Sequence, residues 1–211
     1  MPIKSVVRNN ITKWDSLGIN FWGINKNATS TIVNHFAIAE GLIKEDEIHL
    51  SGGQKGKLKI TEQFISRDEA FSNMFLNFTV VRNPYARFES CYKHLKYPLT
   101  DVQKNTRLKA KFNPNWSADE FLDFIEYMFQ DANSSKVNKH YQRQSWFITN
   151  IKKMDYVIKL EKLNKRWPFK HITFPAFISN PSSKIEVKYN KDRLYNLYQE
   201  DFENFKYEKS I

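Results

Sequence analysis

Lys26-Asn27-Ala28-Thr29-Ser30-Thr31 gathers one positive charge and three hydroxyl side chains within six residues. The segment follows an apolar run, residues 19–24, and precedes a helical spacing of apolar residues at Ile32, Val33, Phe36 and Ala37. It therefore reads as a strand-to-helix junction, with Ser30 or Thr31 available as the helix cap. Such a junction turns unpaired backbone N–H groups, and the positive end of the helix dipole, toward one point, which suits a phosphate or a sulfate. It is not a Walker A loop, because that motif ends Gly-Lys-Ser/Thr and here the lysine precedes the turn. An ordinary helix cap beside a solvated lysine has the same sequence, so this segment alone leaves both readings open.

A second segment, Val80-Val81-Arg82-Asn83-Pro84-Tyr85-Ala86-Arg87-Phe88-Glu89-Ser90, begins in the β-branched run at residues 78–81. Arg82 stands where that strand should end, at the edge where open α/β sheets bind their ligands. A guanidinium there can clasp a phosphate bidentately, and Ser90, two turns into the following helix, adds a hydroxyl donor. Asn83 and Pro84 supply an N-cap and a first helical residue. For a lone arginine the alternative is a surface ion pair.

The elements that must position these groups follow from the same patterns. Strands are expected at residues 19–24, 78–81 and 156–158, and helices after Thr31 and Pro84. A third helix starts at Ser117, where Glu120 completes a capping box. A last one starts near Asn190, with Leu194, Leu197, Tyr198, Phe202 and Phe205 on its apolar face. Strands alternating with helices predict an α/β fold with a mostly parallel sheet flanked by helices. Residues 96–114 are polar and lysine-rich and read as a long surface loop near the ligand site. Gly52 to Lys57 looks glycine-rich and basic, but Gly56-Lys57 precedes Leu58, so it reads as a loop and not a P-loop.

The chain of 211 residues is most economically one domain. A hydrophobic fraction of 41% excludes disorder. Its formal charge of +10 admits a polyanionic partner, whether a nucleotide, an anionic glycan, a membrane surface or a nucleic acid, and equally a lysine-rich surface. Cys91 is the one cysteine, which precludes an intrachain disulfide. Residues 1–20 hold no continuous apolar stretch, so the expectation is a cytoplasmic protein without an integral membrane segment.

Together the two segments resemble the sulfotransferases that use 3′-phosphoadenosine-5′-phosphosulfate (PAPS), particularly the branch containing carbohydrate sulfotransferases. Ile24 to Ile32 is similar to that family's 5′-phosphosulfate loop, Pro-Lys-x-Ala/Gly-Ser/Thr-Thr/Ser, with Asn25 where proline is usual. Phe78 to Tyr92 matches its 3′-phosphate segment, Val-Arg-Asp/Asn-Pro-Tyr/Phe-x-Arg-x-x-Ser-x-Tyr, nearly residue for residue. Residues 155–163 and 197–202 are similar to a later strand and the terminal helix, so the likeness covers about residues 19–207.

The resemblance implies a P-loop nucleotide-kinase-like sulfotransferase fold and transfer of a sulfuryl group from PAPS to an acceptor hydroxyl, without a metal. It implies that Lys26, Asn27, Ala28, Thr29, Ser30 and Thr31 hold the 5′-phosphosulfate, with Lys26 stabilising the leaving phosphate, and that Arg82 and Ser90 hold the 3′-phosphate. The segment Asn138 to Trp146 is similar to a family stretch His-Trp/Phe-x-Pro-Gln near the acceptor, with Arg143 in place of proline. It makes His140 a candidate general base and acceptor contact, and Gln144 an acceptor contact. His49, His94 and the carboxylates are the other candidate bases, while His35 and His171 read as structural. Trp146 suits either stacking on a sugar or adenine, or the core. The competing readings are a PAPS-fold protein without turnover, a small-molecule P-loop kinase, and a nucleic-acid-binding protein. The kinase lacks Gly-Lys-Ser/Thr, and the nucleic-acid reading lacks any recognition motif.

Overall fold

A computed structural model describes residues 10–44, 63–98, 101–130, 137–148, 150–170, 172 and 185–209. The glycine-rich loop, His49 and His171 lie outside the described residues. Contact density divides the chain into two units, one of residues 9–81 and 148–180, the other of residues 1–8, 82–147 and 181–211.

The first unit contains the sheet. Strand β2 (Ile19–Trp22) is buried at every position and β3 (Leu76–Val81) at all but its first, as expected of strands covered on both faces. These two are parallel, with Phe21 paired to Phe78, and β3 is parallel to β4 (Tyr156–Lys159), with Val80 paired to Ile158. The mostly parallel α/β arrangement is therefore present. The sequence pattern missed β1 (Ile11–Trp14), which pairs antiparallel to β2 through a turn at residues 15–18. Gly18 closes that turn at φ 65°, a left-handed conformation that glycine adopts without cost. The alternation in β1 is masked by Thr12, a polar residue that is buried because its hydroxyl accepts the Trp14 indole N–H at 2.9 Å.

Helix α1 (Thr29–Ala39) lays Ile32, Phe36 and Ala37 on this sheet. Phe36 is the hub of its core. Its ring centroid lies 5.7 Å from Trp14, 5.9 Å from Phe21, 6.4 Å from Phe78, and 5.9 Å from both Trp167 and Phe169. Helix α2 (Arg67–Ser72) precedes β3, with Ser66 accepting the Glu69 N–H as its cap.

The second unit is helical. Helix α3 (Pro84–Lys96) starts as the sequence predicts, with the Asn83 side chain accepting the Tyr85 N–H at 2.9 Å. Residues 96–114 are not one surface loop: they contain α4 (Asp101–Lys109), followed by buried Ala110 and Phe112. Arg107 explains the helix, because its guanidinium donates to the carbonyls of Leu95 (2.7 Å) and Lys96 (3.1 Å) and so caps the end of α3. Helix α5 (Ala118–Gln130) opens on the expected capping box, Ser117 and Glu120 each accepting the other's backbone N–H. The single terminal helix predicted after Asn190 is broken at Tyr198 into α6 (Lys191–Leu197) and α7 (Gln199–Asn204). Phe88, Tyr92, Phe121, Leu122, Leu194 and Phe202 form this unit's core.

Truncating the hub is the sharpest test of the sheet unit. Phe36→Ala is expected to cost about 3–5 kcal/mol of stability, read as a fall in the urea midpoint. A loss below about 1 kcal/mol would show that α1 packs on the sheet without that ring.

Candidate active site

The loop between β2 and α1 is built by close approach. Gly23 donates its N–H to the Asn10 carbonyl at 2.9 Å, and a Cβ at Gly23 would stand 2.7 Å from the Thr29 methyl. That gap lets Thr29 fold back so that its hydroxyl donates to the Ile24 carbonyl at 2.5 Å. Between them Lys26 and Ala28 are both left-handed, at φ 72° and 59°. Asn25, standing where the resemblance leads one to expect proline, is held by the Asn10 side-chain amide at 3.0 Å. Asn27 is fully buried and donates through Nδ2 to the Val80 carbonyl at 2.9 Å, which ties the loop to the end of β3.

The cap of α1 differs from the expectation. It is Ala28, in the left-handed region and without a side-chain bond, and neither Ser30 nor Thr31 fills that place. Thr29 is the first helical residue and Ser30 the second, Ser30 being exposed and Thr31 buried. The first turn of α1 carries no acidic residue, so its positive end is left uncompensated within the helix.

In the helical unit, Arg82 is half-buried and stands between strand and helix. Its backbone is clasped by Gln144, whose Oε1 accepts the Arg82 N–H at 2.9 Å and whose Nε2 donates to the Arg82 carbonyl at 2.8 Å. Gln144, read from the sequence as an acceptor contact, is thus fully buried with its amide on the Arg82 main chain. Ser90 lies half-buried on α3. Arg87 is buried and donates to the carbonyls of Gln142 (2.7 Å) and Lys139 (3.4 Å).

The same unit brings two of the candidate bases together. The rings of His94 and His140 stack with centroids 5.6 Å apart and planes 12° from parallel. Asn138 Oδ1 takes both the His140 N–H (3.0 Å) and its Nδ1 (2.9 Å). A carbonyl oxygen only accepts, so Nδ1 carries the proton and the lone pair of the neutral ring sits on Nε2. Trp146 packs on Phe129 at 5.1 Å and beneath the Arg143 guanidinium at 5.4 Å, which favours the core reading of that ring. His35 stands against Trp167 in the sheet unit.

From sequence, Asp201 figures only as part of the stretch at residues 197–202, with no role of its own. It is fully buried on α7, where Oδ2 accepts the Gln144 N–H at 2.7 Å and Oδ1 the Ser145 N–H at 2.8 Å. Burial lifts its carboxyl above the ordinary carboxylate range, against the lowering effect of those two N–H donors and of the Arg87 charge.

The profile described as the sulfotransferase family matches residues 10–174, a span that includes residues 26–31, residues 82–90, His140 and Gln144. The chain belongs to the sulfotransferase family. Sulfuryl transfer to a hydroxylated acceptor is the chemistry that this membership supports. No curated protein and no solved structure matches the chain. Among the described residues of this sulfotransferase no helix is long and apolar enough to cross a membrane, and no group of three or more His, Cys, Asp or Glu is placed to hold a metal.

Two outcomes check this geometry. Gly23→Ala drives a methyl into Thr29 and is expected to destabilise the fold by about 1–3 kcal/mol in urea titrations; an unchanged midpoint would refute the close approach. The folded chain holds the Asp201 proton more tightly than the unfolded chain does. Its contribution to stability is therefore complete below the ordinary carboxylate range and declines as pH rises to the lifted value. Asp201→Asn should remove that decline from the urea midpoint measured across the acid range.

Proposed function

We propose that this sulfotransferase moves the sulfuryl group of PAPS to a carbohydrate hydroxyl. The observation that carries the reading is the loop at residues 25–28, in which two left-handed residues turn a buried strand directly into a helix whose first turn lacks any acidic side chain. A fixed array of backbone donors at a helix N-terminus suits a tetrahedral dianion, and Lys26 adds the charge that such a ligand calls for.

In this reading the acceptor oxygen attacks sulfur in line, the bond from sulfur to the bridging phosphate oxygen breaks, and negative charge collects on the departing 5′-phosphate. Lys26 stabilises that charge, with Thr29, Ser30 and Thr31 supplying hydroxyl and backbone donors around the same oxygens. Asn27 and Ala28 shape the loop, Asn27 as its tie to the sheet. Arg82 and Ser90 hold the 3′-phosphate, the group that separates PAPS from ordinary adenine nucleotides. His140 takes the acceptor proton on Nε2, the nitrogen left basic when Asn138 fixes the tautomer. The +10 charge and the resemblance of both anion segments to the carbohydrate branch favour an anionic glycan as acceptor.

Transfer of radiolabelled sulfate from PAPS, screened over glycans, phenols and lipids, tests the reading. Lys26→Ala should abolish transfer while keeping most affinity for adenosine 3′,5′-bisphosphate. His140→Gln should slow transfer about 100- to 10,000-fold at unchanged bisphosphate affinity. Normal turnover by Lys26→Ala would remove the assigned role, and label appearing on phenols or lipids but on no glycan would redirect the acceptor assignment.

A further inference from the structure

The residue that would read the 3′-phosphate is held by a chain of buried contacts that reaches the far end of the sequence. Arg82 follows the last residue of β3 and precedes the cap of α3, so neither ladder nor helix fixes its main chain. Gln144 does so instead, one amide answering both the N–H and the carbonyl, much as a facing residue would in an antiparallel ladder. Gln144 is itself fixed. Its N–H and that of Ser145 each go to a different oxygen of Asp201, 57 and 56 residues further along the chain. From the other side, Arg87 grips the Gln142 and Lys139 carbonyls, and Arg87 lies on the same helix that Arg82 leads into. Arg82, Arg87, Gln142 and Gln144 thereby form a closed ring of covalent and hydrogen-bonded links, with Asp201 fastened to it from α7.

Four of the side chains that build and fasten this ring are buried. Gln144 and Asp201 are 0% exposed, Arg87 2% and Gln142 3%. Buried polar groups of this kind rigidify a segment when satisfied and are costly to leave half-satisfied. A structural purpose alone would be served by holding the segment at residues 139–145. The Gln144 side chain goes further, spending both ends of its amide on the one residue whose guanidinium must be aimed.

We propose that Gln144, backed by Asp201, is a positioning residue for Arg82 and thereby sets the preference for 3′-phosphorylated nucleotides. The inference rests on the reading that Arg82 binds the 3′-phosphate. With the Arg82 main chain fixed, its Cα–Cβ direction is fixed too, and the guanidinium meets the phosphate with fewer conformations to lose. Removing the clasp should therefore cost affinity for the bisphosphate while sparing a nucleotide that lacks the 3′-phosphate.

Calorimetric titration of the full chain with adenosine 3′,5′-bisphosphate and with 5′-AMP tests this, thermal melts confirming that each variant is folded. Wild type should prefer the bisphosphate, and Arg82→Ala should lose most of that preference. Gln144→Glu keeps the acceptor and loses the donor, and Gln144→Asn keeps the amide but is one methylene short. Each should cut the ratio of the two affinities about tenfold, leaving 5′-AMP within about twofold of wild type. Asp201→Asn should shift the ratio in the same direction by less. Equal losses for both nucleotides, or an unchanged ratio in folded Gln144→Glu and Gln144→Asn, overturn the positioning role while the Arg82 reading stands. A wild type without preference, or an Arg82→Ala variant that keeps it, overturns the Arg82 reading and the inference together. Should Gln144→Glu not fold, Gln144→Asn decides by the same criterion.

Discussion

A strand that ends inside a protein leaves backbone groups that must find partners once the ladder stops, because an unpaired buried N–H or carbonyl costs about 1–3 kcal/mol. At the end of β3 two side-chain amides meet that demand. Asn27 satisfies the Val80 carbonyl, and Gln144 satisfies both main-chain groups of Arg82. Each amide is carried by a segment that also bears a candidate functional group, Lys26 in one case and His140 in the other. Asn27 thus ties the loop that carries Lys26 to β3, and Gln144 ties the segment that carries His140 to Arg82.

Much of this was legible in the sequence, for a local reason. Caps, capping boxes and strand-to-helix junctions are decided by residues within one turn of each other, so Asn83 with Pro84 and Ser117 with Glu120 mark their helices correctly. The strand-to-helix junctions before α1 and α3 are legible for the same reason, as is the core face of α1. What escaped depends on partners distant in sequence. Thr12 reads as polar until Trp14 gives its hydroxyl a buried donor. Residues 101–109 read as loop because their own composition is polar, and the helix is anchored by Arg107 on the end of α3. Nothing near Gln144 announces Asp201, and the clasp of its amide on the Arg82 main chain joins residues 62 apart in sequence. The alanine cap of α1 belongs with these, since a left-handed alanine follows from the packing around Gly23 and Thr29 and not from its own preference.

The two buried charges of the helical unit illustrate how such a centre is kept in balance. Arg87 and Asp201 both lie out of reach of solvent, and each has its hydrogen-bonding capacity directed to backbone groups of the segment around residues 139–145. Their opposite charges also attract, which offsets part of the penalty of burying either one. The balance is incomplete for Asp201, whose carboxyl remains lifted, so this fastening point holds best in acid and weakens as pH rises to the lifted value.

Lys26 and Ala28 hold a conformation that glycine would adopt more easily, at about 1–2 kcal/mol per residue. Glycine at Ala28 would relieve that strain and also free the loop to wander. The loop is therefore held taut by its surroundings, from Gly23 on one side to Val80 on the other. The cost of shaping it is met during folding, and in the proposed reading none of it is left for the binding of an anion. Ease of folding and fixity of shape are in opposition at this one alanine.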